Sequence, residues 1–171
     1  SAQIKKHSPS GKVPVLIHGQ NTVWDTLAIA EYLYELYPES GLWPKDPKAR
    51  AMARSYTAEM HSGFMSLRSQ CSMDLSLRIQ IKHLTSGTVA DIQRLLNMWT
   101  AALKKSKGPY LFGDFCIADA FFTPVVFRFI SYGIQISDKT VLQYMQNIQE
   151  NHGVQFWVEE AKKEKLYRQK F

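Results

Sequence analysis

Apolar positions change period along the first quarter of the chain. Val13, Val15, Leu16 and Ile17 form a short run rich in β-branched residues, which predicts a buried strand. Ser8-Pro9-Ser10-Gly11 before it predicts a turn, because Pro fixes φ and Gly permits positive φ. His18-Gly19-Gln20-Asn21 predicts a reversal, and Thr22-Val23-Trp24 a second short strand. The period then becomes helical: Leu27, Ile29, Ala30, Leu33, Leu36 and Tyr37 supply an apolar face, with Asp25 or Thr26 as the cap. Pro38 ends this helix, and Gly41 to Pro47, GLWPKDP, reads as a linker in which Trp43 packs between the two halves. The expected division is therefore residues 1–40 and 41–171, with the linker at about 38–47.

Beyond the linker every periodic segment is helical. Lys48 to about Arg68 predicts one long helix with Met52, Tyr56, Met60, Phe64 and Leu67 on its apolar stripe. Residues 70–87 are irregular. Thr88 with Asp91 resembles a capping box, and Val89, Ile92, Leu95, Leu96, Trp99 and Leu103 form the stripe of the helix it opens. Lys104 to Pro109 carries the usual C-terminal signals. From Ile117 to Ile130 the only charged residues are Asp119 and Arg128, so this helix belongs at the centre of a helical domain. Asp119 stands three positions after Cys116, where its carboxylate can reach back to orphan N–H groups; it reads as a structural cap, not a catalytic acid. Pro124 is expected to kink this helix. Ser137 or Asp138 starts another helix, Gly153 a last one, and the charged tail from Lys162 to Phe171 is expected to fray.

Composition narrows the function. Apolar residues make up 45% and charged residues 21%, ordinary values for a globular protein, and no apolar run of about 18 residues predicts a membrane span. Cys71 and Cys116 are far apart, and the five histidines show no ligand spacing, so no metal is expected and a reducing, cytoplasmic setting is. A net charge of +6 raises the question of nucleic acid. The cations, however, gather at Lys104, Lys105 and Lys107 and at Lys162, Lys163 and Lys165, the ends of predicted helices, where they meet the macrodipole. No nucleic-acid-binding motif accompanies them, and no such partner is expected.

Pro14 is the anomaly, since proline removes a ladder donor from a strand. It fits either as a trans residue at a strand start or as a cis bond whose backbone faces a ligand. Together with SPSGKVPVL, the chain's WDTLAIAEYL, LYPE, AEMHSGFMSLR and FCIADAFFTPVVFRFISYG resemble the cytosolic glutathione S-transferases, closest to bacterial members carrying SPSGKVPVL. The resemblance implies an α+β fold: the C-terminal part of a thioredoxin-like domain followed by an all-α domain. It also implies a homodimer and a glutathione site, with conjugation of the glutathione thiolate to a small electrophile. By the family's pattern, Val13 offers backbone groups to the cysteinyl part, and Asp25 and Thr26 meet the γ-glutamyl end. Lys12 meets the glycyl carboxylate or is simply solvated. His61, Phe64 and Arg68 either line the second-substrate pocket or are core and surface residues. Family members begin with a strand–helix–strand unit of roughly 30 residues or more, which carries the catalytic Ser, Tyr or Cys; only Ser1 to His7 precede the turn here. The expectation is a sequence without that unit and without a catalytic residue. Two alternatives stand beside the transferase: a glutathione-dependent isomerase or reductase, and a non-catalytic binding or dimerisation module.

Overall fold

The computed structural model describes residues 2–168. A single helical turn, α1 (Ala2–Lys5), leads into the Ser8–Gly11 turn. There the Ser8 hydroxyl donates to Lys12 O at 2.6 Å, and Gly11 takes a positive φ of 68°. Strand β1 (Val15–His18) pairs antiparallel with β2 (Asn21–Trp24), Val15 opposite Trp24 and His18 opposite Asn21. The ladder begins later than the apolar run predicts, and the Val13–Pro14 bond ahead of it is cis. The burial expected of this run is not met. Ile17 and Trp24 share one face by register, and both are exposed, as is Val13.

Helix α2 (Thr26–Leu36) packs back on the hairpin. Its Tyr32 hydroxyl is met by His18 Nδ1 at 2.9 Å and Asn21 Nδ2 at 3.1 Å, which fixes the angle between sheet and helix. A 3₁₀ turn at Pro38–Ser40 ends this segment, and Gly41 closes it at φ 74°. Trp43, 2% exposed, then packs with Ala30, Ala53, Cys116, Ile117 and Ala118 in a small core that joins α2 to the helices beyond. Arg54 reinforces the joint: it forms a two-bond pair with Glu31 (3.0 and 2.6 Å) and lies over the rings of Tyr34 and Trp43.

The single helix predicted over 48–68 is two, α3 (Pro47–Ser62) and α4 (Met65–Gln70). Gly63 N–H still reaches Glu59 O, but Gly63 itself is extended and Phe64 takes φ 59°. A Cβ at Gly63 would stand 2.7 Å from Glu59 O, so the break needs glycine. Of the expected stripe, Met60, Phe64 and Leu67 are buried and Tyr56 partly so, while in the first turns of α3 Ala53 and Thr57 face the core and Met52 is exposed.

Helix α5 (Ser86–Ser106) starts earlier than its predicted cap. Thr85 is the N-cap, accepting from Thr88 N–H, and Asp91 instead accepts from Leu67 N–H of α4 at 2.9 Å. Its buried face adds Met98 and Ala102, while Val89 is exposed. Helix α6 (Ile117–Ser131) runs unbroken across Pro124 where a kink was expected. Ten of its fifteen residues are buried, which makes it the central helix. Helices α7 (Lys139–Glu150, capped by Asp138) and α8 (His152–Arg168) complete the bundle. Helix α8 carries through most of the tail expected to fray, whose last three residues lie outside the described ones. The main core centres on Trp99, whose ring meets Phe122, Phe129 and Tyr144 at 5.2–5.7 Å between centroids. None of the helices is long and apolar enough to cross a membrane, among the described residues.

Candidate functional site

Four residues singled out in the sequence, Lys12, Val13, Asp25 and Thr26, lie exposed at the end of the hairpin where α2 begins. Val15 pairs with Trp24 at the end of the ladder, so Val13 leads into the same end of the hairpin that Asp25 leaves. Val13 is 70% exposed, and its backbone groups make no hydrogen bond to the described residues. A free edge of this kind accepts an added extended segment.

Asp25 is the N-cap of α2 and has a positive φ of 75°, rare for a residue with a side chain. Its Oδ1 accepts from Leu27 N–H at 2.9 Å and Ala28 N–H at 3.5 Å, and its Oδ2 meets His61 Nε2 at 2.9 Å. Partial burial would raise the carboxyl pKa. The Leu27 and Ala28 amides and the neighbouring His61 outweigh that and hold it below the usual carboxylate range. Asp25 is thus an ionised carboxylate at a helix N-terminus, 45% exposed at its side chain. It also lines an open hollow of about 620 Å³ with Thr22, Val23, Trp24, Leu27, Ala28 and Glu31.

The three residues expected at a second pocket separate. His61 reaches across from the last turn of α3 to Asp25, and its ring packs edge-on against Phe121 of α6 at 5.9 Å. Phe64, at the backbone break after Gly63, is 7% exposed and packs in the main core. Arg68 is partly buried. Its guanidinium is turned back onto Met60 O and His61 O, the carbonyls that the end of α3 leaves without helical partners.

Asp119 is fully buried. Its carboxylate accepts from Cys116 N–H at 3.0 Å, which is the capping bond, and from Leu111 N–H at 3.1 Å, which ties down the loop before α6. Burial pushes its pKa up to about 6 in spite of these donors. The two cysteines are free and buried, and burial raises both thiols, Cys116 to about 12. Neither is an activated nucleophile. Among the described residues no group of three or more His, Cys, Asp or Glu could hold a metal ion.

Sequence reasoning missed the Asp25–His61 contact. The two residues are 36 positions apart, and no local pattern links them.

Comparison with known proteins bears on the fold and the family. Residues 1–36 match the family described as glutathione S-transferase, N-terminal domain. A probable maleylacetoacetate isomerase from Caenorhabditis elegans is 30% identical over 140 residues, covering 80% of this chain and 64% of that protein. Glutathione S-transferase 1 from Dianthus caryophyllus is 28% identical over 145 residues, 83% of this chain and 66% of that one. The chain therefore spans slightly less than two thirds of these relatives' length. A solved glutathione transferase homolog from Burkholderia, with bound glutathione, superposes with a TM-score of 0.72 at 27% identity, covering 95% of this chain and 79% of that one. The fold and these relatives alike are similar to the glutathione S-transferase family, whose N-terminal domain residues 1–36 match.

Proposed function

We propose that this chain carries the glutathione site of a glutathione transferase that conjugates the tripeptide's thiolate to a small electrophile. The observation that supports the reading is the end of the hairpin, where Val13, with its free backbone, precedes β1, and Asp25, with its carboxylate at the α2 N-terminus, follows β2. Val13 pairs with the cysteinyl unit as an added strand would. The N–H groups and dipole at the start of α2, with the Thr26 hydroxyl, favour the γ-glutamyl carboxylate. Asp25 accepts from the γ-glutamyl ammonium, and Lys12, exposed beside Val13, faces the glycyl carboxylate. Bound glutathione supplies the sulfur nucleophile. This chain's residues bind and orient it, and none of Ser8, Ser10, Cys71 or Cys116 is assigned a catalytic role. The reading carries a division at the linker into 1–40 and 41–171, a homodimer, a cytoplasmic setting and a detoxifying role.

A glutathione-dependent isomerase is the second reading, favoured by the relative from Caenorhabditis elegans. Turnover of a cis-dicarbonyl substrate without net consumption of glutathione separates it from conjugation.

Asp25→Ala removes an ionic partner of the ammonium. Hydrogen bonds to charged groups contribute about 1.5–3 kcal/mol, so glutathione affinity is expected to fall by roughly 10- to 100-fold. Loss of the cap adds about 1 kcal/mol of destabilisation. Titration calorimetry with reduced glutathione checks the first effect and thermal unfolding the second. Equal affinity in parent and variant contradicts the assignment.

A further inference from the structure

We propose that His61 is a positioning residue that aims the Asp25 carboxylate at the ligand's ammonium and so makes the site selective for it. The inference rests on the glutathione reading above. A carboxylate at an exposed helix end is free to turn about its last torsion. Here one oxygen is held by the Leu27 amide on its own helix, and the other is met at 2.9 Å by a side chain from a different part of the fold. An ionised carboxylate only accepts, so His61 Nε2 carries the proton in this bond. With Oδ1 taking the Leu27 and Ala28 amides and Oδ2 the single bond from His61, a further acceptor site on Oδ2 stays open, and the side chain is 45% exposed.

His61 is itself held in place. Its ring rests on Phe121, and the carbonyls of Met60 and His61 are gripped by Arg68 across the break between α3 and α4. The Glu31–Arg54 pair and the Trp43 core keep α2 against α3, so donor and acceptor are brought together by the joint. Three residues thus act in one line: Arg68 fixes the end of α3, His61 extends from it, and Asp25, 36 positions earlier, receives the bond. Such support lowers the reorganisation needed when a cationic group docks.

The test compares reduced glutathione with its des-amino analogue, γ-carboxybutanoyl-cysteinylglycine, which lacks only the α-ammonium. Affinities are measured by titration calorimetry for the parent, His61→Ala and His61→Gln. The parent is expected to favour glutathione over the analogue by roughly tenfold or more. His61→Ala is expected to lose most of that preference by weakening glutathione alone, with affinity for the analogue unchanged. His61→Gln, whose amide can still donate to Asp25, is expected to restore part of it. An unchanged preference in His61→Ala overturns the proposal. So does an equal loss for both ligands, or a His61→Gln variant no better than alanine, since each marks a structural role only. A parent that binds neither ligand overturns the glutathione reading itself, an outcome distinct from the others.

Discussion

Trp99→Ala is expected to destabilise the protein by about 3–5 kcal/mol, the range for removing a large buried aromatic. Trp99 is fully buried and its ring touches α6 and α7 at once, through Phe122, Phe129 and Tyr144. Its removal opens a void between three helices that pack against one another, where relaxation can fill little of the space. The loss is a large fraction of a typical domain's total stability. Trp99→Phe is expected to cost far less. The indole Nε1 is buried with no hydrogen-bond partner among the described residues, so phenylalanine gives up ring volume and no bond. Denaturant titration of the three proteins checks both statements. Equal losses for the two variants would mean that the indole nitrogen contributes a bond after all.

Asp119→Ala is expected to cost about 2–4 kcal/mol, from a lost cap together with a buried N–H left unpaired at Leu111. Asp119 also gives stability a pH dependence whose sign follows from burial. Desolvation raises its folded pKa to about 6, above the ordinary carboxyl value of 3.8, even though Leu111 and Cys116 donate to it. Between those two values the folded chain keeps a proton that the unfolded chain releases. Stability from this group is therefore greatest below pH 4, falls as pH rises toward 6, and is level above that. The fall is on the order of 2–3 kcal/mol. Asp119→Asn stays neutral throughout, so the stability difference between parent and Asp119→Asn is expected to shift against the parent as pH goes from 4 to 6. A difference independent of pH would contradict the raised pKa.

The hairpin, α2, the linker and the central helix were legible because each depends on nearby residues. Asp25 caps the segment it precedes, Pro38 and Gly41 close it, and the apolar run around Asp119 announces a buried helix. The division of α3 from α4 turned on Gly63, whose signal was a single glycine inside an otherwise regular stripe. Only the close approach to Glu59 O shows why the chain turns there. The cap of α5 was misplaced by three positions because Thr85 and Thr88 are chemically alike, and Asp91, which suggested the later start, is engaged by Leu67 from another helix. The site divides in the same way. Lys12, Val13, Asp25 and Thr26 were singled out by the resemblance to the family's pattern, and turn, strand and cap chemistry accounts for where the chain puts them. The distribution of His61, Phe64 and Arg68 depends on the break between α3 and α4, so their fates could not be read from spacing: one on Asp25, one in the core, one on helix-end carbonyls.

The most direct measurement is an amide-resolved NMR titration of the protein with reduced glutathione. Binding at the β1–α2 junction predicts saturable shifts at Val13, Asp25, Thr26 and Leu27, with His61 following through its bond to Asp25, and little change around Trp99. Absence of saturable shifts, or saturable shifts confined to the helical core and α8, would contradict the placement of glutathione at this end of the hairpin.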